Sequence, residues 1–403
     1  MQLKIQHPVR QILLAAITSM LVACGGGGSD SDPVPVAAAG TLRVALTDLP
    51  ACGYDEVNVT VEKVRVHQSA SASDDAGGWS EVVLNPVKRV NLLNLTNGVL
   101  EELGATTLPA GTYTQLRLVL SNNTAAAPMA NSVVPTGGTE TALDTPSAEQ
   151  SGLKINTNVG VGPSQLTDIV LDFHVCNSVV RAGQSGRYIL KPVLSILPRA
   201  TATSLAVEGY VATAIANGTS SVSLQQAGVV ARATVPDATG KFLLSPVPAG
   251  TYDLVITANG RVTSVVTGVP VTATSKTVVN PSTTPIDPPL SSIFRTASGN
   301  VTTTGTTAIP NATVRAMQAI GTPMIEVITR PVDADTGAYS FSLPIAAPVK
   351  TAYAAGAVTL VFTPESAVAA KYTLEARVPT KLPQTANVDL TLANVVTPFT
   401  FAP

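Results

Sequence analysis

The sequence has few of the residues that carry chemistry in enzymes. Its 403 residues include three histidines, three cysteines and one tryptophan, and charged residues make up only 12%. The chain contains no nucleophile elbow, no paired zinc ligands and no phosphate-binding loop. The formal net charge is −2 without a basic run, which argues against nucleic acid as a partner. These absences favour a non-enzymatic protein without a cofactor.

Valine, threonine, alanine, glycine and proline are abundant instead, which is the composition of short strands and tight turns. Residues 57–67 alternate apolar and polar side chains over a full strand length. This period of two is typical of an antiparallel strand with one face in water. Composition and periodicity together predict an all-β protein.

Residues 1–23 have the three parts of a secretory signal peptide. A start with two basic residues is followed by an apolar run at 12–22, which is too short to cross a bilayer. Residues 21–24, Leu-Val-Ala-Cys, then resemble the lipobox of bacterial lipoproteins, in which the cysteine thiol carries the lipid. We therefore expect cleavage before Cys24 and lipidation of its thiol. An ordinary secretory signal with a chance cysteine is the alternative.

Residues 24–40 continue from this cysteine as a tether. Glycine, serine and aspartate fill residues 25–32 and offer no side chains for a core, so we expect a flexible segment. Gly25 directly after the cysteine, rather than aspartate, resembles the sorting signal for the outer membrane of Gram-negative bacteria. The sequence thus predicts a lipid anchor in the outer membrane. Both the periplasmic and the cell-surface face of that membrane are compatible with it.

Two further cysteines, Cys52 and Cys176, form an even pair in a chain that is predicted to be exported. Because exported proteins meet oxidising conditions, a disulfide between them is the favoured interpretation. The alternative is a metal site or a nucleophilic thiol, since His174 lies two residues before Cys176.

The mature chain is predicted to form three β-sandwich-like units in tandem. The first unit covers 41–200, the second 201–280 and the third 293–403, with a proline-rich linker at 281–292. The second and third units repeat one design, in which an Asp/Thr/Gly turn leads into a strand that begins with an aromatic residue. The repeated stretches are 237–242 and 335–339. Pro-Ala-Gly-Thr-Tyr, at 109–113 and 248–252, predicts a turn that buries a tyrosine ring.

The first unit, from about 40 to 198, resembles a bacterial lipoprotein family known as domain of unknown function 4382. The stretches that carry the resemblance are residues 42–48, 59–67, 78–79, 108–113, 171–173 and 190–193. Many members appear with aspartate after the Asp-Phe pair, where this chain has His174, and this difference weakens any acidic site there. The family has no assigned activity, so the resemblance implies only an architecture and a cellular location.

The second unit resembles the carboxypeptidase regulatory-like domains, which are small transthyretin-like sandwiches with a carbohydrate-binding-like fold. Residues 209–211, 239–242 and 248–252 carry this resemblance, and the third unit shares it more loosely. The resemblance implies a fold and does not by itself imply sugar binding.

Four carboxylates are candidate site residues. Asp333 and Asp335 have the alternate spacing with which a calcium loop begins, but the downstream acidic ligand is missing, so a plain turn is favoured. Asp48 and Asp172 stand in strands of the first unit and could do acid–base work or hold a cation if they lie close together. Aspartates at strand ends more often cap turns.

Trp79 is the candidate for stacking on a sugar ring, although filling the end of a sandwich is favoured for it. His67 closes an amphipathic strand and is interpreted as a surface histidine. We expect an envelope lipoprotein of binding or structural role, which presents β-sandwiches to an envelope protein or a polysaccharide. The alternatives are a carbohydrate-binding surface module and, less favoured, a hydrolase that uses Asp48 or Asp172.

Overall fold

The computed structural model describes residues 38–48, 53–146, 151–199, 204–216, 218–306, 309, 311–321 and 323–403. The predicted signal peptide, most of the tether and the cysteines Cys24 and Cys52 lie outside these residues. Throughout the described ranges the chain is almost entirely strand, so the all-β prediction is confirmed. No helix within them has both the length and the apolar character that a membrane span requires.

The first unit is a sandwich of two sheets around one core. One sheet has the order β12-β9-β1-β4, and the other has the order β10-β11-β7-β6-β2-β5-β8, with β3 also paired to β2. Valine and leucine side chains from both sheets alternate inward and form a continuous core. A four-residue helix, α1, covers Val175–Ser178. The strands are β1 Ala39–Asp48, β2 Tyr54–His67, β3 Ser80–Asn91, β4 Glu101–Pro109, β5 Gly111–Leu120, β6 Ser132–Pro135, β7 Thr141–Asp144, β8 Leu153–Val161, β9 Leu166–Phe173, β10 Val179–Ala182, β11 Arg187–Leu190 and β12 Leu194–Pro198.

The second unit has its own core between two sheets. Its strands are β13 Val207–Tyr210, β14 Ser220–Gln226, β15 Val229–Thr234, β16 Lys241–Leu244, β17 Gly250–Ala258, β18 Ser264–Val271 and β19 Thr277–Val278. One sheet has the order β16-β13-β19, and the other begins β15-β14-β17-β18.

The third unit repeats this plan around a third core. The strands of the chain from Phe294 onward are β20 Phe294–Thr303, β21 Thr313–Gln318, β22 Ile325–Pro331, β23 Ala338–Pro344, β24 Val349–Ala352, β25 Thr363–Pro364, β26 Lys371–Arg377, β27 Gln384–Asp389, β28 Val395–Val396 and β29 Phe399–Phe401. One sheet has the order β23-β20-β28, with β29 also on β20, and the other has the order β22-β21-β26-β27.

Two strands from the predicted third range belong to the sheet of the second unit. β24 pairs in parallel with β18, and β25 pairs with β24, which extends that sheet to six strands. Leu360 and Phe362 also pack against the second core. An isolated pair of strands is marginally stable in water, whereas the open edge of β18 offers both hydrogen bonds and apolar contacts. The second and third ranges are therefore joined by a shared sheet.

The predicted linker at 281–292 is packed against the second unit. Ile286 is 4% exposed, forms a parallel bridge with Val211 and donates its N–H to the carbonyl of Tyr210. Ser291 is also buried, and its N–H bonds to the carbonyl of Gly260. Proline richness therefore marks an ordered strap at this position.

The tyrosine motifs and the repeated turns have the predicted local structures. The hydroxyl of Tyr113 donates to the carbonyl of Pro109 at 2.9 Å, and that of Tyr252 donates to Pro248 at 2.8 Å. Both rings are buried. The repeated turns are closed by Asp237 and by Asp333, which lies two residues before the Asp335 of the predicted repeat. Each carboxylate accepts the N–H and hydroxyl hydrogen bonds of a following threonine.

Val349→Asp tests the shared sheet. Val349 is 6% exposed in β24, so the substitution buries a carboxylate and should lower the free energy of unfolding by about 2–4 kcal/mol in urea denaturation. Val358→Asp is the matched control, because Val358 is 66% exposed in the same segment and the change there should have little effect. Equal effects of the two substitutions would contradict the docking of β24.

Candidate functional site

Asp48 and Asp172 end neighbouring strands but point to opposite faces of one sheet. β1 and β9 pair in parallel with Thr47 opposite Asp172 and Asp48 opposite Phe173. Since side chains alternate along a strand, Thr47 and Asp172 share a face while Asp48 lies on the other. Asp48 accepts the N–H of Val175 at 3.2 Å. The two carboxylates therefore lie in different surroundings, on opposite faces of the sheet.

Asp172 forms an ion pair with Arg232 of β15 in the second unit. The carboxylate oxygen Oδ1 lies 2.5 Å from Nη1, and both side chains are 2% exposed. The second guanidinium nitrogen donates to the hydroxyl of Thr47 at 3.0 Å. We call Thr47, Asp172 and Arg232 the first–second joint, because they bring the outer face of the β9–β1 sheet against the second unit.

Arg232 was missed by the sequence analysis. It is one arginine among valines, alanines and a threonine in residues 229–234, and such a lone charge in an apolar strand needs a partner when it is buried. That signal was present in the sequence, but nothing local indicated that the partner would be Asp172, sixty residues earlier.

His174 lies beside the joint. Its Nε2 atom is 3.3 Å from the hydroxyl of Ser195 and 3.7 Å from Oδ2 of Asp172. Burial lowers the pKa of His174 below its usual value; Arg232 lowers the pKa further, and the Asp172 carboxylate opposes both effects. A catalytic triad places the serine and the aspartate on different ring nitrogens, whereas both neighbours here lie near Nε2. The three residues thus do not have the geometry of a proton relay.

Only one of the two cysteines of the predicted disulfide lies in the described residues. Cys176 lies half-buried in α1, two residues after His174, whereas Cys52 is outside the described residues. The pairing of Cys52 with Cys176 therefore stays a prediction. Among the residues that the structure describes, no group of three or more histidine, cysteine, aspartate or glutamate side chains could hold a metal ion.

Trp79 packs on the outer face of the large sheet in the first unit. The guanidinium carbons of Arg65 and Arg117 lie 4.5 and 4.9 Å from its ring centre, and its Nε1 donates to the carbonyl of Ser73. The ring of His67 lies 5.0 Å away, and His67 Nε2 is 2.9 Å from the carbonyl of Gly77. Trp79 thus holds the 68–79 loop on the sheet face, rather than filling the end of the sandwich.

Asp333 and Asp335 bind the turn between β10 and β11 of the first unit. Asp333 Oδ2 accepts the N–H of Gly183 at 2.7 Å, and Asp335 Oδ2 accepts the N–H groups of Gln184 and Ser185 at 2.9 Å. Backbone donors thus meet these oxygens where a metal ligand would need free lone pairs. The arrangement favours the turn interpretation, and it also joins the third unit to the first.

The second and third units contact each other through side chains as well as through their shared sheet. Gln225 donates to the carbonyl of Glu326 at 2.8 Å and accepts its N–H at 2.9 Å. Arg315 donates to the carbonyl of Gly228 while it pairs with Glu375. Each of the three units therefore touches the other two.

Comparison with protein families matches residues 39–192 to the family described as domain of unknown function (DUF4382). The match covers the first unit except for β12 and confirms the resemblance that its motifs predicted. The resemblance of the second and third units to carboxypeptidase regulatory-like domains stays a prediction. A comparison with curated proteins gives no match.

Among solved structures, the chain is similar to an interface mutant of a type II cohesin–X-dockerin complex from Acetivibrio cellulolyticus, at 25% identity over 21% of this chain and 56% of that one, with a TM-score of 0.17. The Bacillus anthracis TIE protein matches at 12% identity over 91% of this chain and 51% of its own, with a TM-score of 0.16. The chain thus covers little more than half the length of these two proteins.

A streptococcal ancillary pilin matches at 9% identity over 91% of this chain and 99% of its own, with a TM-score of 0.18. TM-scores this low carry no argument about function.

Arg232→Met tests the first–second joint. It leaves the Asp172 carboxylate buried without a partner, so the free energy of unfolding should fall by about 3–5 kcal/mol. Adding Asp172→Asn should recover part of that loss, because the unpaired charge is then removed. Arg187→Met is the control: Arg187 pairs with Asp144 but is 63% exposed, and its loss should cost at most about 1 kcal/mol. If Arg232→Met lowers the free energy of unfolding no more than Arg187→Met does, the buried ion pair is disproved.

Proposed function

We propose that this protein is a non-enzymatic lipoprotein of the outer membrane, which presents a body of three mutually docked β-units to an envelope or extracellular partner. The observation that carries the proposal is the set of contacts that joins each unit to the other two. Flexibly linked modules would leave the strap at 281–292 and the edge of β18 in water, whereas here both are packed. Such a body suits a binding or structural role.

The surroundings of the candidate catalytic groups support this proposal. Asp172 is paired with Arg232, Asp48 accepts a backbone N–H, and His174 meets Asp172 and Ser195 through one nitrogen. A general acid or base must reach the proton that it transfers, and the two carboxylates are 0% and 1% exposed. The hydrolase alternative is therefore the weakest of the three.

The lipid anchor is tested by Cys24→Ser. If the cysteine thiol carries the lipid, the substitution should abolish labelling with an acyl analogue and release the protein from the membrane fraction. Cys176→Ser serves as the matched control and should leave labelling unchanged. Membrane retention of the Cys24→Ser protein without acyl label would contradict the anchor, and fractionation of inner from outer membranes would test the address.

The binding role is tested by cross-linking in intact cells, followed by affinity capture of the full chain. We expect the same protein or polysaccharide to be recovered repeatedly with the anchored wild type, and to be lost with the released Cys24→Ser protein. Hydrolysis of model ester, glycoside or peptide substrates by the purified protein, abolished by Asp172→Asn, would overturn the non-enzymatic proposal.

The carbohydrate-binding alternative depends on Trp79. Because the ring already stacks against Arg65 and Arg117, we expect Trp79→Ala to increase proteolysis of the 68–79 loop and to leave any signal on a glycan array unchanged. Tyr353→Ala, in a segment remote in sequence, controls for general loosening. Sugar binding that Trp79→Ala removes without loosening the loop would favour the alternative.

A further inference from the structure

The contact between the first and second units contains a titratable group that the ion pair itself does not need. His174 is 20% exposed at its side chain, whereas Asp172 and Arg232 are each 2% exposed. A proton can therefore reach the imidazole from water while the ion pair stays sealed. The imidazole lies 3.7 Å from Oδ2 of the same carboxylate whose Oδ1 holds the guanidinium.

We propose that His174 is an acid-sensitive latch, whose protonation loosens the first–second joint. Burial opposes protonation of the ring, the Asp172 carboxylate favours it, and the Arg232 guanidinium opposes it. A protonated ring adds a second cation to a site with little water, and the two cations then compete for one carboxylate. Local opening of the contact between β15 and the β9–β1 sheet relieves this conflict by admitting water to His174 and Arg232.

The elements packed around His174 supply several other charged or titratable groups. β9 supplies Asp172 and β15 supplies Arg232, and these two act on the pKa of His174. β1 supplies Asp48, whose carboxylate accepts the N–H of Val175. β22, which packs against α1, supplies Glu326 and Arg330, and the Glu326 carboxylate is paired with Arg315.

The direction of the pH effect follows from the lowered pKa of His174. Burial and Arg232 lower the pKa of His174 in the closed joint. Because opening would relieve both effects, acid favours opening. The stabilising contribution is full above the ordinary histidine value of 6.5 and is lost as the pH falls through the lower pKa of the closed state.

Hydrogen exchange of the full chain, followed by mass spectrometry at pH 7.5 and 5.0, tests the latch. After correction for intrinsic exchange rates, amides of β9 and β15 should exchange several-fold faster at the lower pH in the wild type. His174→Gln, which retains a nitrogen near the position of Nε2 but cannot titrate, should remove this difference. His67→Gln is the matched control, because that ring bonds to its own loop and lies outside the joint.

Equal corrected exchange at both pH values in the wild type would overturn the latch, as would a pH difference that persists in His174→Gln. If His174→Gln does not fold, the wild type still decides the question. The imidazole resonances of His174 should then titrate below the ordinary histidine value of 6.5, together with the onset of exchange in β9 and β15. A titration of His174 without that onset would also disprove the latch.

Discussion

The ion pair between Asp172 and Arg232 fixes how the second unit lies on the first. Removing two such charges from water costs several kcal/mol for each ion, and the cost is offset only while guanidinium and carboxylate remain in contact. A partly separated joint would keep the cost and lose the contact, so intermediate positions are disfavoured. An apolar contact of the same size could slide by a residue, whereas this pair selects one register between β9 and β15.

The other contacts between units follow from that placement. With the second unit on the β9–β1 sheet, the chain continues through the packed strap at 281–292 into the third unit. β24 then completes the second sheet, and the turn at Asp333 and Asp335 reaches the β10–β11 turn of the first unit. Because the contacts form a closed set, one of them cannot open fully without straining the others. The three cores are therefore expected to unfold cooperatively.

Local chemistry made part of this structure predictable. Tyr113 and Tyr252 bond to carbonyls four residues earlier, and the carboxylates of Asp237 and Asp333 close turns within their own loops. Everything that these features need lies within a few residues, so the sequence pattern suffices. The alternation in 57–67 likewise depends only on the period of a strand. The all-β class and the first-unit family follow from such signals.

The joints could not be predicted in the same way. Arg232 meets Asp172 only after two separate sandwiches have formed and docked, and no local pattern encodes their relative position. β24 has the composition of any short strand, so its sequence does not say which sheet it will join. The packing of the proline-rich strap was not predictable for a related reason: proline limits local conformation but does not determine whether tertiary contacts cover the segment.

Several of the sparse charged residues of this chain lie at contacts between units. Asp172, Arg232, Arg315, Asp333 and Asp335 all lie where one unit meets another. A charge at such a place contributes to orientation, since it must find its counterpart or stay solvated. Charges committed to internal joints are not available to steer a partner from a distance, and the net charge of −2 adds little long-range field. In the proposed binding role, recognition of a partner would depend on the shape and hydrogen bonding of the outer strands and loops, which requires that the units hold a constant relative position. The contacts between units that occupy these charges also hold the units in that constant position.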